Sequence, residues 1–224
     1  IFYFPKFFHP DPTVKRQSGF LLPSFTDTTT VGTGFGLPYY WAINNDKDLT
    51  FTPKVYANEN ILFMNEYRQA FKNGFLTLDT SYTQGYKNIT TTKTDGSRNH
   101  IFAQLDLNLN EDQSYESNLS LKIQRTSNDT FLRAHKIDTE LVDSNNTILE
   151  NILDYRYMKD NTFLNITASV YEDQREKTKD RYEHILPNIM YGKTLFTEKM
   201  GYFDFQTSTS YKNYDGDKHY SFLN

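Results

Sequence analysis

Histidine and carboxylate side chains are the groups of this chain best suited to chemistry, but their spacing does not bring them together. Asp215 and Asp217 flank one glycine and could contact a divalent cation, although a polar hairpin turn is the commoner use of such a pattern. The five histidines are scattered along the chain without the spacing of a metal site: His9, His100, His135, His184 and His219. No acid–base couple stands out among the acidic residues. We therefore predict no catalytic residue, no metal site and no enzymatic activity.

Glycine, cysteine and charge content exclude further classes of function. Gly32, Gly34 and Gly36 form a G-x-G-x-G run, but no helical pattern follows it, which argues against a dinucleotide site. Alternating glycines in a strand instead allow bending or a close approach of two backbones. The chain has no cysteine, which removes disulfides and thiolate ligands, and we predict no cofactor. With a net charge of −4 it lacks the basic surface of a nucleic-acid-binding protein, so we predict no nucleic-acid partner.

Aromatic residues are abundant, whereas long apolar runs are missing. Aromatic residues make up 16% of the 224 residues, with 17 tyrosines and 18 phenylalanines. This content disfavours a disordered chain, and no run approaches the roughly 20 apolar residues of a membrane-spanning helix. Both ends of the sequence, at residues 1–4 and 219–224, have strand-like patterns. We therefore expect an internal piece of a longer chain.

Apolar and polar residues alternate with a period of two throughout the chain. The clearest stretch is 101–110, and 115–127 and 162–172 repeat the pattern. Because successive strand side chains point to opposite faces, each ribbon has one apolar and one polar face. The polar face is predicted to include these residues: Gln104, Asp106, Asn108, Lys122 and Gln124.

About twelve strands are predicted after a lead-in segment at 1–9. Many have 10–13 residues, longer than the ~5–6 of globular sheets and suited to tilted strands that cross a bilayer. The predicted spans are 18–27, 33–43, 48–58, 61–72, 74–84, 99–110, 115–127, 148–159, 162–172, 183–194, 200–213 and 218–224.

Connections between the later strands alternate between long and short. The long ones are 85–98, 128–147 and 173–182, and the short ones are 111–114, 160–161 and 195–199. Consecutive antiparallel strands put alternate connections at opposite ends, as in outer-membrane barrels with short periplasmic turns and long external loops. We predict an all-β fold, an antiparallel up-and-down transmembrane β-barrel of which this chain is part. A soluble β-sandwich remains an alternative, because it also hides one face of each strand.

Two prolines fall inside consecutive predicted strands, Pro23 in 18–27 and Pro38 in 33–43. Proline has no N–H to donate to a sheet and is found at edges, bulges or strand starts. The pair indicates either a sheet edge with weak backbone bonding or two bulges without function. Pro53 and Pro187 are further strand prolines, so the feature is not unique to the first two strands.

Four ordered blocks of sequence resemble the LptD family of LPS-assembly outer-membrane proteins. They are 15–23, 37–43, 48–53 and 65–68, and the match is dense over 1–85 and thin afterwards. The residues that carry the resemblance are Lys15, Arg16, Ser18, Tyr39, Tyr40, Trp41, Asn65, Glu66 and Arg68.

The resemblance implies a domain organisation, a location and partners. Residues 1–17 would be the end of a periplasmic β-jellyroll domain and its linker, and 18–224 the N-terminal portion of an outer-membrane β-barrel in a Gram-negative bacterium. The implied partners are lipopolysaccharide (LPS), the plug lipoprotein LptE, the periplasmic bridge protein LptA and outer-membrane lipid. The three long connections would lie outside the cell.

The resemblance also implies transport of LPS and its insertion into the outer leaflet. In this family the barrel opens between its first and last strands, and strand prolines weaken that seam. The implied lateral gate consists of Gly19, Phe20, Leu21, Leu22, Pro23 and Pro38. The polar head of LPS would cross a lumen lined by the polar residues of 104–124. Another outer-membrane porin or receptor barrel, or a soluble β-sandwich binding domain, remains an alternative.

Overall fold

The computed structural model describes residues 16–57, 59–87, 96–110, 114–175, 181–199, 201–214 and 218–223. Over these residues the chain forms fourteen strands and one short helix, α1 (Phe131–His135). The strands are β1 (Gly19–Phe20), β2 (Ser24–Thr28), β3 (Gly32–Gly36), β4 (Tyr39–Asn44), β5 (Lys47–Tyr56), β6 (Leu62–Phe71), β7 (Gly74–Thr83), β8 (Arg98–Asn108), β9 (Glu116–Thr126), β10 (Ile148–Lys159), β11 (Thr162–Asp173), β12 (Tyr182–Thr197), β13 (Gly201–Tyr214) and β14 (Lys218–Leu223).

All strands belong to one antiparallel sheet. From β4 to β14 each strand pairs with the next one along the chain, while β1 pairs with β4, and β3 with both β2 and β5. The predicted all-β, up-and-down architecture is confirmed. The sheet is barrel-like but not closed, since among the described residues neither β1 nor β2 pairs with β14.

Two of the predicted strands are each divided at their proline. The span 18–27 becomes β1 and β2 on either side of Pro23, and 33–43 becomes β3 and β4 on either side of Pro38. Fourteen strands therefore stand where twelve were predicted. The physical reason is that proline cannot donate to the ladder.

A one-residue bulge accompanies the first interruption. β1 pairs Phe20 with Tyr39, whereas β2 pairs Phe25 with Phe35, so the first strand has one more residue than its partner between these pairs. The extra residue falls at 21–23, beside Pro23. Phe20 and Phe25 consequently both lie with the aromatic rings of the apolar face, at centroid distances of 5.1 Å from Tyr39 and 5.2 Å from Phe35.

The two faces of the sheet differ in polarity as the alternation predicts. The strand register places Gln104 opposite Lys122 and Thr77, and Asp106 opposite Ser120, on the polar face. The other, apolar face carries large exposed side chains, which include Phe51, Phe63, Ile101, Leu153 and Ile166. An exposed apolar face of this extent indicates a lipid-facing surface rather than the buried layer of a sandwich.

Connections of different length lie at opposite ends of the sheet. Between β6 and β13, the longer segments 84–97, 127–147 and 174–181 alternate with the shorter segments 72–73, 109–115, 160–161 and 198–200. We call these the long-loop end and the short-turn end. Among the described residues, no helix combines the length and apolarity needed to cross a membrane.

The segment 127–147, with α1, folds back onto the polar face. Lys54 Nζ and the Tyr56 hydroxyl both donate to the carbonyl of His135, at 3.1 and 3.2 Å. The buried apolar cluster lies at this contact and contains Val31, Tyr56, Leu62, Phe102, Phe131, Leu132, Ile137, Val142 and Leu149. The sequence predicted an external loop here, and a five-residue helix is too short to produce a readable period.

Candidate functional site

Backbone pairing is sparse where the chain enters the sheet. β1 pairs with β4 through two residues and β2 with β3 through five, whereas β10 pairs with β11 through twelve. We call the contact of β1 and β2 with β3 and β4 the seam. The six predicted gate residues all lie at this seam, in or beside its interruption.

Pro38 at the seam and Pro53 on the neighbouring strand β5 accept backbone hydrogen bonds but return none. Leu21 N donates to the carbonyl of Pro38 at 2.9 Å, and Leu37 N donates to that of Pro53 at 3.3 Å. A non-proline residue in either place could form the reciprocal bond of an antiparallel pair. Leu22, at the bulge, is 71% exposed. Backbone bonding is therefore incomplete on both sides of the β3–β4 interruption, toward the first strand and toward β5.

Asp48, on the polar face of β5, is the buried centre of an ionic cluster. It is 1% exposed and accepts three hydrogen bonds. Arg16 Nη1 reaches its Oδ2 at 2.9 Å, the Tyr40 hydroxyl the same atom at 3.2 Å, and Arg68 Nε its Oδ1 at 2.9 Å. Glu66 Oε1 lies 3.5 Å from Arg68 Nε. We call these five residues the Asp48 cluster.

The four sequence blocks of the resemblance meet at the Asp48 cluster. Ser18 adds a further contact, because its Oγ accepts a hydrogen bond of 3.0 Å from Ala42 N. The remaining block residues, Tyr39, Trp41 and Asn65, alternate with these along β4 and β6 and lie on the apolar face. Lys15 lies outside the described residues.

Sequence reasoning did not single out Asp48, although it quoted the block that contains it. The available signal was a carboxylate and a guanidinium, Asp48 and Arg68, in two neighbouring predicted strands. Their direct opposition depends on the register of β5 against β6, which the structure supplies.

Four of the five predicted lumen residues form a hydrogen-bonded polar surface. Gln104 Nε2 donates to Asp106 at 2.8 Å, and Lys122 Nζ lies 2.9 Å from Glu150. Asp106, Asn108 and Lys122 line a recess of about 930 Å³. Gln124 is instead 4% exposed, and its Nε2 donates to the carbonyl of Leu141 at 3.5 Å, so it lies against the packed segment 127–147 and not at the recess.

Comparison with known proteins identifies the family. The family model described as the LptD protein matches residues 1–215. The chain belongs to the LptD family. The resemblance carried by the four blocks is thereby confirmed, and with it the predicted location in the outer membrane of a Gram-negative bacterium.

Three relatives, each named LPS-assembly protein LptD, show how far the similarity extends. The Shewanella oneidensis protein is 42% identical over 82 residues, 34% of this chain and 11% of that protein. The Escherichia coli O1:K1 / APEC protein is 41% identical over 69 residues, 30% and 9% of the two chains. The Nitrosococcus oceani protein is 31% identical over 122 residues, 51% and 16%. The matched part of this chain thus spans between 9% and 16% of these relatives.

At the long-loop end of this LptD segment, Arg181 joins two connections. It hydrogen-bonds Asp129 at 2.6 Å and also binds Glu172 at the end of β11. Hydrogen bonds to these two carboxylates raise the pKa of the Arg181 guanidinium. The side chain of Gln174 donates to Thr126 at 2.8 Å, which joins the 174–181 connection to the end of β9.

A Ser–His–Asp chain of hydrogen bonds lies beneath α1, and sequence reasoning missed it. Ser81 Oγ is 2.6 Å from His100 Nδ1, and His100 Nε2 is 2.8 Å from Asp79 Oδ1. The imidazole stacks on Phe102 at 4.3 Å and lies under Phe131. All three polar residues are 2–5% exposed, so this arrangement satisfies buried polar groups and offers no open face to a substrate. Within the described ranges, no three His, Cys, Asp or Glu side chains group as metal ligands.

Proposed function

We propose that this LptD segment forms the barrel wall and one side of a lateral exit through which LPS reaches the outer leaflet of the outer membrane. No covalent bond is made or broken in this process. The observation that carries the proposal is the seam, where Pro23 and Pro38 interrupt two neighbouring strands and leave β1 with two paired residues. The name of the relatives, LPS-assembly protein, supports the same cargo.

Opening a β-barrel sideways requires breaking the backbone hydrogen bonds between two strands. Each such bond contributes a net ~0.5–1.5 kcal/mol, and an edge exposed to lipid costs more because no water replaces the lost partner. A seam whose prolines lack donors begins with fewer bonds to break. Because the first strand is thinly bonded to β4, Gly19, Phe20, Leu21 and Leu22 can shift when that strand parts from the last strand of the barrel.

The polar face gives the LPS head a route that avoids hydrocarbon. Moving polar groups through an apolar medium without hydrogen bonds costs several kcal/mol per group, about 2–7. Gln104, Asp106, Asn108 and Lys122 supply donors and acceptors along this face. The acyl chains would leave through the seam into outer-membrane lipid.

The rest of the proposed assembly follows the family. Residues 1–17 would end a periplasmic jellyroll and link it to the barrel portion at 18–224. LptA would deliver LPS to that jellyroll, and LptE would plug the completed barrel. The long-loop end would face the cell exterior.

Replacing both seam prolines in the full-length protein tests the exit. Pro23→Ala and Pro38→Ala together would restore backbone donors, and we expect LPS delivery to fall by roughly fivefold or more, as for one added bond of ~1 kcal/mol. Surface LPS would be measured by its accessibility to an external modifying enzyme. Pro187→Ala is the matched control, because Pro187 lies in the register shift between Ile185 and Asn188 of β12, away from the seam. Unchanged delivery at a normal level of folded barrel would contradict the exit role.

A diffusion pore is the second candidate, favoured by one observation. The segment 127–147 packs on the polar face, as a constriction loop would. Steady ion conductance of the full-length barrel in a planar bilayer, together with LPS delivery that the proline replacements leave unchanged, would support the pore instead.

A further inference from the structure

The short-turn end of the seam is held by side chains where the backbone ladder is thin. On β4, Ala42 N would ordinarily donate to a backbone carbonyl of the first strand, and here it donates to the hydroxyl of Ser18. Arg16, three residues before β1, reaches past β4 to Asp48 on β5. Side-chain contacts thus attach the first strand to the sheet beyond its two paired residues.

The partners of Asp48 differ in how firmly they are held. Arg68 is directly opposite Asp48 in a ladder of eight residue pairs between β5 and β6, so that ion pair is fixed by the sheet. The Tyr40 hydroxyl is neutral and lies on β4. The side chain of Arg16 is 53% exposed and belongs to the chain that leads into β1, whereas that of Asp48 is 2% exposed. Arg16 is therefore the partner that can leave.

Charge balance at the cluster favours the bound position of Arg16. With both carboxylates ionised, Asp48 and Glu66 carry two negative charges beside the one positive charge of Arg68. Arg16 brings the second positive charge. Leaving a nearly buried carboxylate short of a partner is costly, because the protein interior screens charge poorly.

We propose that Arg16 and Asp48 form an ionic clasp that keeps the short-turn end of the seam closed. Arg16 is a positioning residue in this proposal, which rests on the proposed lateral exit. Because Arg16 precedes β1, displacement of the chain before it would release the clasp before it strains the β1–β4 ladder. The clasp would in this way couple the preceding chain to the seam.

The test is backbone hydrogen exchange in the full-length protein reconstituted in lipid nanodiscs. In Arg16→Gln, amide exchange over 18–21 and 39–44 should be about three- to tenfold faster than in the parent, as for loss of one partly exposed ion pair to a buried carboxylate. Arg16→Lys, which keeps the charge, should restore most of the protection. Arg156→Gln is the matched control, because Arg156 is 68% exposed and pairs with Asp154 on the distant strand β10.

Salt provides a readout that simple loss of packing would not produce. Raising the ionic strength from about 0.05 to 0.5 M shortens the screening length, so it should speed seam exchange in the parent and leave Arg16→Gln nearly unchanged. Equal exchange in the parent and Arg16→Gln would overturn the clasp. Faster exchange without any change in LPS delivery would support the clasp and count against the exit function.

Discussion

The seam and the hairpins β10–β13 are held in different ways. β10 pairs with β11 through twelve residues and β12 with β13 through thirteen, in ladders that run the length of the strands. β1 and β2 pair through two and five residues, and their neighbourhood is stabilised by the Asp48 cluster and by α1. The hairpins depend on backbone bonds, and the seam depends on side chains.

This difference bears on how each region opens. Contiguous ladder bonds protect one another, so a long hairpin separates as a cooperative unit. Side-chain contacts can be released one at a time, and each has its own dependence on charge, pH and packing. A region that must open and close is therefore better held by the second kind of contact.

The largest expected effect comes from placing a proline within one of these hairpins. Ile166 lies in the centre of β11, paired with Tyr155 on one side and Ile189 on the other. Ile166→Pro should cost about 3 kcal/mol, because proline removes a ladder bond in a central strand and leaves the facing carbonyl without its donor. The folded fraction of the full-length barrel, measured by its heat-dependent gel mobility, should fall sharply. A normal folded fraction would show that the hairpins tolerate proline as the seam does.

Side-chain packing behind the seam can be tested at Gly34. A Cβ there would lie 2.7 Å from the Tyr56 ring and 2.9 Å from Thr26 Oγ1, and the Tyr56 ring is itself packed on His135. Gly34→Val should destabilise the barrel by about 2–3 kcal/mol, measured from the urea midpoint. Gly19→Val is the control, since nothing lies within 4 Å of its added Cβ. Equal midpoints for the two variants would contradict this packing role.

Acid should loosen the packing of α1 on the polar face. Burial lowers the pKa of His135 from 6.5 to about 4. The packed state therefore binds a proton less readily than the released state, and its stability is complete above pH 6.5 and declines as pH falls toward 4. At pH 5 the loss amounts to about 2 kcal/mol. Limited proteolysis of 127–147 should become faster between pH 7 and pH 5.

His135→Phe is the check on the cause of this pH dependence. Phenylalanine keeps a ring between Tyr56 and Phe131 but has no group to protonate. Proteolysis of the variant should be nearly independent of pH over this range. The same acid sensitivity in the variant would assign the effect to another group.

Strand identity and face were predictable from the sequence, because period-two alternation depends only on local geometry. The alternation at 101–110 places Gln104, Asp106 and Asn108 on one face, and the observed register does the same. The prolines fell in the two strands whose pairing is interrupted, but from the residues alone they left open whether the cause was a weakly bonded edge or a bulge. The division of 18–27 and 33–43 into separate strands was not predicted, since alternation resumes beyond each proline.

Contacts between distant parts of the chain could not be predicted. The Asp48 cluster depends on which residues of β5 and β6 face each other, and on the reach of Arg16 across β4. The packing of 127–147 depends on apolar side chains that meet only in the folded sheet, such as Phe131 with His100 and Phe102. From the sequence, the same residues were predicted only to form a long external loop, without this inward packing.

The extra residue at 21–23 changes which face of the sheet the later side chains of the first strand occupy. In an uninterrupted strand, two residues on the same face are separated by an even number of positions. Phe20 and Phe25 are five positions apart, yet both join aromatic pairs on the lipid-facing side. An odd interval between two aromatic residues that both face lipid therefore requires one extra residue between them, and here that residue lies at 21–23.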